Sequence, residues 1–151
     1  MRVMICVVAL GALSLATPEV ATAAPPTEAC TLLTAADVSS ALGASVAEGT
    51  YIMPSLKKTC TWNIQTGGSV TLNLQSLDFF NAGKGSMASA ERSAASGVGD
   101  EAYFLGVGPT TGLMVKKGSG AFKVSVYSKS LNLDQRKTVE MKLAQKVAGK
   151  F

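Results

Sequence analysis

The sequence predicts an α+β domain in which an antiparallel sheet carries its helices on one face. Three observations predict it. Residues 59–64, 69–75 and 121–128 alternate apolar and polar side chains, the period of half-buried strands. Gly67-Gly68 and Gly118-Ser119-Gly120 join such runs over so few residues that they read as hairpin turns. Helix signals stand before, between and after the strand runs, so the order is a leading helix followed by two βββα-like halves. A chain of 151 residues has room for one such domain and a targeting segment.

The targeting segment comes first. Met1-Arg2 precedes an apolar run over 3–16, and Ala21 and Ala23 supply the small residues of a cleavage site. Residues 1–23 therefore read as a signal peptide, 24–29 as a flexible leader and 30–151 as the domain, secreted or periplasmic after cleavage near Ala23. A membrane span takes about 20 apolar residues, and this run breaks at Thr17-Pro18-Glu19. Cys6 has too little chain before it to be a lipid-modified cysteine, so no stable membrane anchor is expected after cleavage. Removing the segment leaves Cys30 and Cys60, an even pair in an oxidising compartment, which reads as one structural disulfide.

The elements follow in order. Thr34 can cap a helix over 34–42, with Asp37 reaching back as in a capping box, Leu33 and Val38 as a staple, and Gly43 as the left-handed stop. A strand is expected over 48–53. In 59–64 Cys60, Trp62 and Ile64 share one face, which puts the disulfide on the buried side beside Trp62. Residues 78–95, rich in Ala, Ser and Met, read as a helix despite Gly83 and Gly85. Strands over 102–105, 113–117 and 121–128 come next; in the last, Phe122, Val124 and Val126 oppose Lys123, Ser125 and Tyr127. Asn132 or Asp134 caps a final helix whose Val139, Leu143, Ala144, Val147 and Phe151 form one arc.

Composition excludes several chemistries. With no His, the Ser-His-Asp and Cys-His systems and His-ligated zinc are absent. The net charge of +4 is spread along the chain without interleaved aromatics, so nucleic acid is not an expected partner. Gly97-Val98-Gly99-Asp100-Glu101-Ala102 spells a dinucleotide-binding pattern, but a helix precedes it and a strand follows, the reverse of what a phosphate needs. Residues 81–86 hint at a P-loop and fail at Phe79, where the first Gly belongs. Ser55-Leu56-Lys57-Lys58 matches S-x-x-K but does not open a helix. Asp100 and Glu101 are adjacent carboxylates that an extended segment turns to opposite faces. No metal or cofactor site is expected.

Cys30-Thr31-Leu32-Leu33-Thr34 with Asp37-Val38 and Leu42-Gly43, then Cys60-Thr61-Trp62, then Gly97-Val98-Gly99-Asp100-Glu101-Ala102-Tyr103, resembles a family of small exported bacterial domains of unknown function. Many of its members are actinobacterial lipoproteins, from which this chain departs in lacking the lipobox cysteine. The resemblance implies an α+β fold stapled by Cys30–Cys60 and brings no activity. The expected function is thus a soluble, non-enzymatic binding or interaction module of the bacterial envelope. Its partner would be a protein, an envelope polymer or a small ligand. The candidate interaction loop spans 98–112, through Gly99, Asp100, Glu101, Gly108 and Pro109, beside Lys116 and Lys117. Two rivals are a hydrolase using Asp100 or Glu101, and an apolar-ligand carrier with a cavity between sheet and helices near Trp62 and Phe122.

Overall fold

A computed structural model describes residues 24–85, 91–107 and 110–151; the expected signal peptide lies outside the described residues. A 3-10 turn, Ala29–Thr31, leads into α1, Ala35–Leu42. Three strands follow: β1 Thr50–Met53, β2 Leu56–Asn63 and β3 Gly68–Gln75. After the short α2, Leu77–Ala82, come β4 Glu91–Ala95, β5 Glu101–Val107, β6 Thr110–Lys117 and β7 Gly120–Ser128. Helix α3, Leu133–Ala148, closes the chain. Among the described residues no helix is long and apolar enough to cross a membrane.

Local punctuation sets the helix ends as expected. The Asp37 N–H donates to Thr34 Oγ1 at 3.1 Å while the Thr34 N–H donates to Asp37 Oδ2 at 3.0 Å, and Gly43 stops α1 at φ 70°. Asn132, rather than Asp134, caps α3 through the same reciprocal pair with Gln135. Asp37 also receives Lys146 Nζ from α3 at 2.7 Å. The Lys146 ammonium, with the Thr34 donors, holds its carboxyl down at about 2. Because the folded value lies below the ordinary 3.8, the stabilisation is present above that pH and is lost as pH falls through about 2. Asp37→Ala removes a cap partner and the tie to α3 together. We expect a loss of about 1–2 kcal/mol in urea unfolding at pH 7, with Asp37→Asn losing less. Native stability in Asp37→Asn would rule out the charge as a contributor.

The sheet is antiparallel throughout, in the order β1-β2-β3-β7-β6-β5-β4. Two meanders meet at β3 and β7, which pair without interruption from Gly68↔Ser128 to Gln75↔Ala121. One face carries Trp62, Val70, Leu72, Leu113, Phe122 and Val124, all buried, and they form one cluster with Val139, Leu143 and Val147 of α3. Cys30 and Cys60 are bonded, with Cα atoms 5.0 Å apart, on this same buried side. The bond fastens the 3-10 turn to β2.

Two expectations are corrected. The helix expected over 78–95 is helical only over Leu77–Ala82, and Glu91–Ala95 is strand β4; residues 86–90 lie outside the described residues. Partners decide the matter: Arg92, Ser93 and Ala94 register against Leu105, Phe104 and Tyr103, and strand pairing overrides the helix propensity of Ala, Glu and Arg. The second correction concerns faces. Helices α1 and α3 share one face, whereas Phe80 of α2 packs with Tyr103, Met114 and Ala121 on the other. The halves are therefore βββα and ββββα, with unlike helix placement.

One seam in the sheet is incomplete. Strands β6 and β7 pair from Lys117↔Gly120 only as far as Leu113↔Val124, although β6 stays paired with β5 to Thr110. Past that point the Val126 N–H has no partner on β6 and donates instead to Glu140 Oε1 of α3 at 2.9 Å. Glu140 is fully buried in the apolar stripe of α3, and its Oε2 has no partner among the described residues.

Candidate functional site

The candidate loop is mostly not a loop. Glu101–Val107 and Thr110–Lys117 are paired strands, because Glu101↔Lys116 through Val107↔Thr110 stay in unbroken register. Gly108 and Pro109 lie outside the described residues. Gly99 makes the entry turn at φ 62°, where a Cβ would sit 2.5 Å from the Lys116 carbonyl oxygen. Asp100 then accepts from Lys117 Nζ at 2.9 Å and from the Gly118 N–H at 2.7 Å. Those two donors, the lysine first, hold its carboxyl below the usual range. Glu101 pairs with Lys84 at 2.5 Å. Arg92 is committed as well, with Nε donating to the Gly83 carbonyl at 2.8 Å and Nη2 to that of Gly85. The turn is a lattice of internal ties, and Lys116 joins it through its carbonyl, which accepts from the Asp100 N–H at 2.8 Å.

A different surface has the shape of a binding site. On the sheet face away from α3, the outward side chains of β2, β3, β7 and β6 form a floor, and α2 rises at one end as a wall. Between them lies a groove of about 520 Å³. Phe79, Ala82, Leu105 and Met114 supply its apolar side. Thr59, Thr71, Asn73, Gln75 and Ser125 supply a polar floor. Part of that floor is satisfied internally, since Asn73 Nδ2 donates to Thr59 Oγ1 at 2.5 Å and the Thr61 and Thr71 hydroxyls lie 3.3 Å apart. Gln75 Oε1 is buried there with no partner among the described residues. Phe79 stands 60% exposed at the mouth, an unusual placement for a Phe and one that leaves apolar surface uncovered beside the groove.

Lys123 is the single charge in the lining. Gly112, across the open seam, makes room for its stem: a Cβ on residue 112 would lie 2.3 Å from Lys123 Cε and 2.6 Å from Ser125 Oγ. The groove continues past the lysine into a second hollow of about 250 Å³, which shares Thr71, Leu105, Lys123 and Ser125 with the first. Thr111 borders this extension and is itself buried, and its hydroxyl has no partner among the described residues.

No protein-family model, curated protein or solved structure matches this chain. What the groove can do follows from its own chemistry. A half-apolar, half-hydroxylated channel of this size is in the range of small-molecule sites. Among the described residues no cluster of acidic or sulfur side chains could hold a metal. Asp100 and Glu101 do not line either hollow.

The alternation of β7 already put Lys123, Ser125 and Tyr127 on the face away from the core, which reads as a solvated face. The missing signal was α2, whose position on that face makes a floor into a groove. Trp62 and Phe122, expected near a ligand cavity, are instead 1% and 0% exposed within the packed core under α3.

Proposed function

We propose that the mature chain is an exported, non-enzymatic binding module that holds a small apolar ligand in the groove between α2 and the outer face of the sheet. The groove carries this reading: it is concave, of ligand size, with Met114, Leu105, Phe79 and Ala82 on its apolar side. The disulfide and the signal-like N-terminus support an oxidising, extracytoplasmic setting. Internal ion pairs on Asp100 and Glu101 favour a structural use of the only adjacent carboxylates in the domain over a hydrolytic one.

A neutral fluorescent apolar probe, N-phenyl-1-naphthylamine, tests the seat. The native chain is expected to bind it saturably near one equivalent. Ala82→Trp, which puts an indole into the groove from the exposed end of α2, is expected to weaken binding about tenfold or more. Absence of saturable binding, or binding that Ala82→Trp leaves unchanged, would remove the groove as the ligand seat.

A further inference from the structure

We infer that the ligand is an amphiphile with one anionic head, seated so that the head meets Lys123 and the apolar body lies toward α2. This deepens the binding-module reading and rests on the groove being a ligand seat. Charge complementarity carries it. Lys123 is the one charged side chain bordering either hollow, with no carboxylate beside it in the lining. Among the described residues its ammonium is engaged in none of the ion pairs, which join Lys57, Lys84, Lys117 and Lys146 to acids elsewhere. A cation outside any ion pair in a partly desolvated, half-apolar groove attracts an anion more strongly than one on an open surface.

The two ends of the channel differ in the same sense. Toward α2 the walls are Phe79, Ala82, Leu105 and Met114, suited to a hydrocarbon chain or ring. Beyond Lys123 the extension is bordered by Ser69 and Ser125, hydroxyl-bearing residues of the outer face that can donate to an oxyanion. The seam where β6 leaves β7 opens this extension. Gly112 belongs to this device, because any larger residue there would displace the Lys123 stem.

The test uses the full mature chain with its Met methyl groups labelled with carbon-13. Met114, on the groove wall, reports occupancy directly. Octanoate, 1-octanol and octylammonium share one tail and differ in head charge. Octanoate is expected to bind about tenfold or more tightly than 1-octanol, and octylammonium to bind weakest. Lys123→Met should bring octanoate to the level of 1-octanol, while Lys123→Arg should keep the preference. Equal binding of octanoate and 1-octanol in the native chain would overturn the acidic head and leave the apolar seat standing. If none of the three shifts the Met114 methyl, the seat itself fails. The native-chain series decides the matter even where Lys123→Met does not fold.

Discussion

The double variant Cys30→Ala/Cys60→Ala is expected to unfold about 3.6 kcal/mol more readily than the native chain, the chain-entropy value for a loop closed across a separation of 30 residues. That loop contains α1, β1 and most of β2, the part of the fold whose helix depends on tertiary support. Helix α1 has 8 residues, too few to persist alone. Its registration on the sheet depends on the 3-10 turn, which the disulfide fixes to β2 beside Trp62. Packing there is close: a Cβ on Gly49 would lie 2.6 Å from Trp62 Nε1 and 2.8 Å from Cys60 Sγ. Urea midpoints with an unchanged m-value would report the loss, and melting should fall by about 10–20 °C for a domain of this size. A loss below about 1 kcal/mol would mean that the unfolded chain already holds these segments together.

Glu140 gives the second large effect, with a sign opposite to that of an ordinary surface carboxylate. Burial in the apolar stripe of α3 pushes its pKa from 4.5 up to about 7, against the Val126 N–H and the more distant charges of Lys123, Arg136 and Lys137, which pull it down. Between those two values the folded chain holds a proton that the unfolded chain has released. The stabilisation from this group is therefore complete below the ordinary 4.5 and is lost as pH rises through about 7. The span corresponds to an energy on the order of 3 kcal/mol. Glu140→Gln keeps an oxygen for Val126 and cannot ionise. It is expected to match the native chain near pH 5 and to exceed it by a few kcal/mol at pH 8. Urea unfolding at four pH values between 5 and 8 checks this, and parallel profiles for the two proteins would remove Glu140 as the titrating group.

Much of the fold was legible wherever short-range chemistry decides it. The Thr34–Asp37 box, the Gly43 stop, the Gly67-Gly68 turn and the Asn132 cap each rest on residues within about a turn of one another, and each is found in the structure. Strand β4 was not legible, because Glu91–Ala95 carries helix-forming residues and becomes a strand only through its pairing with β5. Glu140 shares the arc of Val139, Leu143 and Ala144 on α3, so its burial was readable from helical periodicity. Its hydrogen bond to Val126 was not, since that depends on where β6 leaves β7. The groove needs side chains from five strands and one helix, and no stretch of sequence contains it. Gly99 and Asp100 read as interaction-loop residues in sequence because Gly-rich turns look alike whether they bind a partner or only their own chain.

The junction of the two meanders has a consequence for the order in which the chain is made. Strand β3 finds its second neighbour in β7, whose first residue lies 45 positions after the last of β3, so a growing chain carries an open strand edge until nearly the whole domain has emerged. The apolar face of that edge, Val70, Leu72 and Leu74, stays uncovered for the same interval, since α3 is made last of all. Fragments ending before Gly120 should thus be the most adhesive products of this sequence, and full-length chains the least. A chain handed across a membrane from its N-terminus would meet the same interval on the far side, where a holding chaperone could find its substrate in β3.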